Sequence, residues 1–157
     1  MVGRDGCEAG FTLIEMVCVL AIVALLASVA VPAVSRQTSR PQLEAYAIEA
    51  AALLKADRNA AIRRGLEVVT RIDAQARSLS SGANGQVVRL PTDVRVETVL
   101  PRRCDDRPAF QTISFFGSGM SCGGVITLTH LDAGYQIRVN WLTGGIEIVP
   151  STGLSSR

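Results

Sequence analysis

Histidine and lysine are almost absent from this chain, which has one of each, His130 and Lys55, against 15 arginines. Any Ser/His/Asp or Cys/His nucleophilic site would have to be assembled around that single imidazole. A lone histidine near the end of a strand is more often structural than catalytic. The four cysteines include no Cys-x-x-Cys pair, so Cys104, Cys122 and His130 would offer three zinc ligands and no fourth. Gly117, Ser118 and Gly119, with Gly123 and Gly124, precede neither a Lys-Ser/Thr pair nor a helical pattern. A β-turn loop explains them better than a phosphate cradle. The sequence thus assigns no catalytic, cofactor-binding or metal-binding residue, and the expectation is a protein that is not an enzyme and needs no cofactor. Net charge is only +2, which gives no reason to expect a nucleic-acid partner. The cluster Arg102, Arg103 and Arg107 is offset by Asp105 and Asp106 and reads as a solvated loop. No internal repeat or low-complexity tract is evident.

Charge is also missing from residues 16–34. Residues 11–34 as helix would rise roughly 36 Å, enough to cross a bilayer core of about 30 Å. The one ionisable acid in that span, Glu15, sits just inside its start. A charge at the centre of a spanning helix costs about 2.5–3.5 kcal/mol, so an intramembrane carboxylate is a functional residue by default; the alternative is a Glu15 resting at the headgroup boundary. An ordinary secretory signal cleaved near Ser28, Val29 and Ala30 fits less well, because an acid at the start of the apolar region is atypical of such signals. A lipoprotein signal would want leucine where Glu15 precedes Cys18. Arg4 is accompanied by Asp5 and Glu8 before the span, and Arg36 and Arg40 follow it, so charge alone does not orient the helix. Cleavage between Gly10 and Phe11 would release an α-ammonium four residues before Glu15, on the same helix face. That amine could neutralise Glu15 within one chain or from a neighbour.

Gly10-Phe11-Thr12-Leu13-Ile14-Glu15, followed by the apolar helix, resembles the class III signal shared by type IV pilins and the pseudopilins of type II secretion. The resemblance implies that a prepilin peptidase cuts after Gly10 and N-methylates Phe11, and that Glu15 sets the register of assembly. It also implies a cytoplasmic N-terminus.

Farther along, Pro32 removes a backbone donor and predicts a kink. Ser39 and Gln42 have capping-box spacing around Pro41, so the helix can restart there. Leu43, Ala47, Ala50, Leu54 and Ala61 share one face, with Tyr46 and Leu53 beside them and Glu49, Asn59 and Arg63 opposite. This is an amphipathic helix, and Gly65 is its stop signal. The apolar period then changes to two. Strands are expected at 67–73, 86–90, 94–100, 112–116, 125–130, 135–141 and 146–149, with the last three forming a meander. Residues 74–85, rich in Ser, Gly and Ala, read as a mobile loop, and 101–111 as a charged connection that Cys104 can tether. Trp141 reads as a core or hairpin aromatic. Cys7 lies in the leader and Cys18 in the membrane helix, where a thiol behaves as a small hydrophobe. Cys104 and Cys122 are candidates for a disulfide in an oxidising compartment, although spacing alone leaves two unpaired thiols as the alternative.

Asn59-Ala60-Ala61-Ile62-Arg63-Arg64-Gly65, Ile113-Ser114-Phe115-Phe116 before the glycine loop, and Val139-Asn140-Trp141-Leu142-Thr143-Gly144-Gly145 resemble the minor pseudopilin H group (GspH/FimT-like) of the type IV pilin superfamily. The fold so implied is α+β, with a long N-terminal helix, transmembrane then amphipathic, packed on a C-terminal antiparallel β-sheet domain. The expected division is a cleaved cytoplasmic leader (1–10), a transmembrane helix (11–34), an amphipathic periplasmic helix (35–65) and a periplasmic β-rich domain (66–157). The implied role is a minor pseudopilin of the type II secretion system, a single-pass inner-membrane protein with its C-terminal domain in the periplasm. The implied partners are the prepilin peptidase, other major and minor pseudopilins, the inner-membrane assembly platform and secreted substrate proteins. The alternatives are a minor type IV pilin serving pilus assembly or DNA uptake, and a membrane-tethered periplasmic enzyme or binding module.

Overall fold

The computed structural model describes residues 11–30 and 38–152. The expected leader with Cys7 and Gly10, the end of the expected span with Pro32, and the last residues lie outside them. Two compact units result, divided at Gln37 and Thr38.

The first unit contains α1 (Leu13–Ala30). Thr12 starts it: its carbonyl accepts from the N–H groups of Glu15 and Met16 at 3.1 and 3.3 Å, and its Oγ1 also accepts from the Glu15 N–H at 3.3 Å. A hydroxyl at this position satisfies a donor that has no partner within the helix. Glu15 lies in the first turn, where the helix dipole favours negative charge. Beyond it α1 is apolar on every side, and its large side chains are exposed, from 50% at Val19 to 83% at Leu13. A helix hydrophobic all round belongs in a bilayer or among other protein helices. Among the described residues no helix is long and apolar enough to cross a membrane. The 18 residues of α1 rise about 27 Å, and residues 31–34 of the expected span are not described.

The second unit begins with α2 (Arg40–Arg64). Ser39 is extended at its N-cap, and its N–H donates to Gln42 Oε1 at 2.9 Å. Gly65, at φ +63°, ends the helix. Its N–H reaches the Ile62 carbonyl, and the Leu66 N–H reaches that of Ala61, which closes the last turn in a left-handed conformation that glycine adopts without strain. Ten strands follow: β1 (Val68–Asp73), β2 (Ser78–Ser80), β3 (Val87–Arg89), β4 (Arg95–Val99), β5 (Arg103–Cys104), β6 (Arg107–Pro108), β7 (Thr112–Phe115), β8 (Gly124–His130), β9 (Ala133–Val139) and β10 (Ile146–Thr152).

They form two four-stranded antiparallel sheets, ordered β3-β2-β1-β7 and β10-β9-β8-β4, and the small β5-β6 ribbon. The α+β class and the β8-β9-β10 meander match expectation. α2 packs against β8, β9 and β10 of one sheet and β1, β3 and β7 of the other. Its contact face is Leu43, Ala47, Ala50, Ala51, Leu53, Leu54, Ala60 and Ala61, mostly alanine, so backbone can approach backbone closely. Cross-strand pairing of Ile126 with Ile137 and of Ile137 with Ile148 brings one row of alternating residues inward. Phe115, Leu54, Leu79, Ile113, Ile126, Leu128 and Ile137 are fully buried, each contributing about 1.5–3 kcal/mol.

Three segments depart from the sequence-based expectation. Residues 74–85 are not simply a loop, because β2 lies within them and pairs with both β1 and β3. Its single core side chain, Leu79, is too short a pattern to register as period two. Residues 101–111 contain the β5-β6 ribbon, turned by Asp105 and Asp106 at φ +49° and +61°. Trp141 stands in the β9-β10 connection, 63% exposed, so it is a hairpin aromatic and not a core one.

Candidate assembly site and its scaffold

Of the residues expected to direct processing and assembly, Phe11 and Glu15 are described and Gly10 is not. Phe11 immediately precedes the Thr12 cap, and Glu15 occupies the first turn of α1 with its side chain exposed. Among the described residues Glu15 has no ion pair. The carboxyl is therefore available to a cation from outside its own helix turn.

Cys104 and Cys122 are joined in a disulfide, with Cα atoms 5.7 Å apart. The Cys122 N–H also donates to the Ser114 carbonyl at 3.1 Å, so the bond links the β5-β6 ribbon to the loop beside β7. Both sulfurs are thereby withdrawn from any zinc set with His130. The arginines of the ribbon are engaged locally: Arg107 reaches Glu67 at 2.8 Å and Asp105 at 3.8 Å, and Arg103 reaches Asp106 at 3.4 Å. Such exposed pairs contribute about 0–1 kcal/mol each, but they leave little free positive charge there.

His130 has a structural position. Its Nδ1 is 2.8 Å from the Asp93 carbonyl, and the Asp93 carboxylate accepts from the Thr38 N–H at 2.7 Å and from Thr38 Oγ1 at 2.9 Å. These contacts clamp the residue two before α2 to the start of β4. The Thr38 N–H holds the Asp93 carboxyl below the usual carboxylate range, and its hydroxyl and the nearby His130 act in the same direction.

One buried polar residue that gathers four hydrogen bonds is one that the sequence pattern left unassigned. Asp57 is fully buried on the packing face of α2. Thr70 Oγ1 donates to its Oδ2 at 2.6 Å, Ser81 Oγ donates to its Oδ1, and the N–H groups of Gly82 and Ala83 reach the two oxygens at 3.2 and 3.3 Å. One carboxyl group thus ties helix, β1 and the β2-β3 connection together. Gly82 permits it, since a Cβ there would collide with the Val69 carbonyl. A signal was available: Ala50, Leu54, Asp57 and Ala61 follow the 4, 3, 4 spacing of a buried stripe.

Comparison with known proteins joins these features to a family. The Prokaryotic N-terminal methylation motif matches residues 6–31, which contain Gly10, Phe11 and Glu15. Type II secretion system protein H of Xanthomonas campestris pv. campestris is 32% identical over 141 residues, covering 90% of this chain and 83% of that protein. In fold the chain is similar to the minor pseudopilin EpsH from the type 2 secretion system of Vibrio cholerae, with TM-score 0.55 and 16% identity over 68% of this chain and 95% of that one. It is equally close to the type IV minor pilin FimU of Pseudomonas aeruginosa, with TM-score 0.53 and 16% identity over 75% and 97%. At such identities the solved structures establish the type IV pilin-like fold. The full-length relative goes further: the chain belongs to the family of type II secretion system protein H.

Proposed function

We propose that the chain is a minor pseudopilin of a type II secretion system, a structural subunit without chemistry of its own. The observation that carries this is the 32% identity to protein H over 90% of the chain, because both pseudopilin and pilin structures share the fold about equally. In this reading a prepilin peptidase removes residues 1–10 and methylates Phe11, which keeps its amine positive. α1 then anchors the protein in the inner membrane with the second unit in the periplasm. Glu15 accepts the Phe11 amine, its own or a neighbour's, and so fixes the stagger of subunits as they leave the membrane through the assembly platform. The exposed apolar surface of α1 supports the same reading, since neighbouring helices or lipid must cover it. The second unit then contacts other pseudopilins or the secreted cargo, and filament growth moves folded proteins across the outer membrane.

Coexpression with a prepilin peptidase tests the first step. The expected product lacks residues 1–10 and carries one added methyl group by intact mass. An unchanged mass would defeat the processing scheme. Secretion by cells in which this gene alone is deleted tests the second, and undiminished export of every substrate would count against a role in that system.

A further inference from the structure

The C-terminal turns of α2, the loop of residues 116–123 and the connection of residues 140–145 converge at one end of the domain. Arg58 Nε donates to the Gly119 carbonyl at 3.1 Å and its Nη2 to that of Thr143 at 2.9 Å. The Ser121 N–H reaches the Trp141 carbonyl at 3.0 Å, and Asn140 Oδ1 accepts from the N–H groups of Leu142 and Thr143. The Cys104–Cys122 disulfide anchors the far side of the same loop. Both segments are therefore fixed before any partner arrives, which lowers the ordering cost of binding.

What this framework holds up is apolar and basic. Ile62, Met120, Trp141 and Leu142 are exposed, and Trp, Met and Arg are the residue types enriched at interface centres. Beside them lies a cleft of about 230 Å³ lined by Lys55, Arg58, Asn59, Gly144, Gly145 and Ile146. Residues 58–66, 116–124 and 140–146 contain no Asp or Glu but do contain Arg58, Arg63 and Arg64. Nearby acids point elsewhere: Asp57 is buried and hydrogen-bonded, Glu67 pairs with Arg107, and Glu147, next to Ile146 on β10, stands on the opposite face of the strand. Lys55 has no ion pair among the described residues.

We propose that this end of the domain docks an acidic segment of another pseudopilin, whose Asp or Glu enters the Lys55–Arg58 cleft while an apolar neighbour packs on Trp141 and Leu142. The cleft determines the acidic, apolar-flanked character of the occupant. That the partner is a pseudopilin rests on the function proposed above.

The test titrates the processed full-length chain, in detergent, with each other pseudopilin of its own secretion system by biolayer interferometry. Wild type binds at least one of them, and Trp141→Ala and Lys55→Glu each weaken that complex by about tenfold or more. Raising NaCl from about 50 to about 500 mM weakens wild type more than Lys55→Glu. Arg89→Glu, on β3 of the other sheet, leaves binding unchanged, and all variants melt with wild type. A complex that neither Trp141→Ala nor Lys55→Glu affects overturns the surface and leaves the function standing. No complex between wild type and any pseudopilin overturns both. If the two substitutions instead abolish self-association, or binding to phosphatidylglycerol vesicles, with pseudopilin binding intact, the occupant is a second copy or lipid and the proposal falls.

Discussion

Thr70 Oγ1 and Asp57 Oδ2 meet at 2.6 Å between β1 and α2, with both residues fully buried. Apart from the Tyr135 hydroxyl, which donates to Glu44 Oε2 at 3.1 Å, helix-to-strand contact elsewhere in the domain is mostly aliphatic and non-directional, so it fixes the position of α2 along the sheets only loosely. A carboxyl group that must satisfy four donors at once admits one placement. Burying it without them would cost several kcal/mol, which makes Asp57 a determinant of helix register and of the fold of residues 81–83.

Asp57→Ala leaves the Thr70 and Ser81 hydroxyls and the Gly82 N–H without this acceptor, while the Ala83 N–H keeps Ser81 Oγ at 3.1 Å. The expected loss is about 3–4 kcal/mol of unfolding free energy. Asp57→Asn keeps the volume but turns one acceptor into a donor facing other donors, with an expected loss of about 1–2 kcal/mol. Urea denaturation of the detergent-solubilised chain measures both, and equal stability of all three proteins would refute the assignment.

The Cys104–Cys122 bond, with 18 residues of sequence separation, should stabilise the domain by about 3 kcal/mol through restriction of the unfolded chain. Its geometry also predicts where the loss is felt. Reduction, or Cys104→Ser with Cys122→Ser, should release the β5-β6 ribbon and raise amide exchange at 101–111 and 117–123 before it affects β8-β10. Alkylation of the processed protein without reductant should label Cys18 alone. Labels on Cys104 and Cys122 would show that the thiols are unpaired.

Most of this architecture is legible in the sequence because two periodicities are clean. The α2 stripe from Leu43 to Ala61 and the alternation from Tyr135 to Val139 each name their own buried face. β2 was missed because Ser78, Leu79 and Ser80 contain only one apolar residue, and such a strand is defined by its neighbours more than by itself. Asp57 was passed over because a charged residue on an apolar stripe reads as an interruption, whereas its partners, Thr70, Ser81, Gly82 and Ala83, are supplied by tertiary structure. For the assembly residues the situation is reversed. Gly10, Phe11 and Glu15 are identified by local sequence, and the function proposed for them depends on a peptidase and neighbouring subunits.

Asp93 gives the domain an acid-sensitive contact. Its carboxyl titrates below the usual range when folded, chiefly because the Thr38 N–H bonds the charged form. In the unfolded chain the group should titrate near about 3.9, so around and below that pH the unfolded state binds more protons than the folded one. The stability from this group is therefore fully present above about pH 5 and is lost as pH falls through the lower folded value. Asp93→Asn should flatten the fall in urea midpoint between about pH 5 and about pH 3. An unaltered acid slope in that variant would show that the Thr38 clamp does not depend on charge.

Glu15 provides the sharpest separation of processing from assembly. Four residues after Phe11, it lies outside the cleavage junction itself, so Glu15→Ala should still lose residues 1–10 and gain its methyl group. With α1 in the membrane as proposed, the same substitution removes a charge near the start of the span and should by itself make α1 more stable in lipid, by less than the roughly 2.5–3.5 kcal/mol of a charge at the bilayer centre. If Glu15 acts as proposed, improved anchoring with failed secretion is the expected pair of outcomes, because that role makes it the counter-ion of a neighbouring subunit's Phe11 amine. Glu15→Asp, with the charge retained on a shorter arm, should restore part of the export, whereas Glu15→Gln should not. Immunoblots of processed protein beside secretion assays read both properties in one strain. Full secretion by Glu15→Ala and Glu15→Gln would remove the charge pair from the assembly mechanism and leave α1 as an anchor alone.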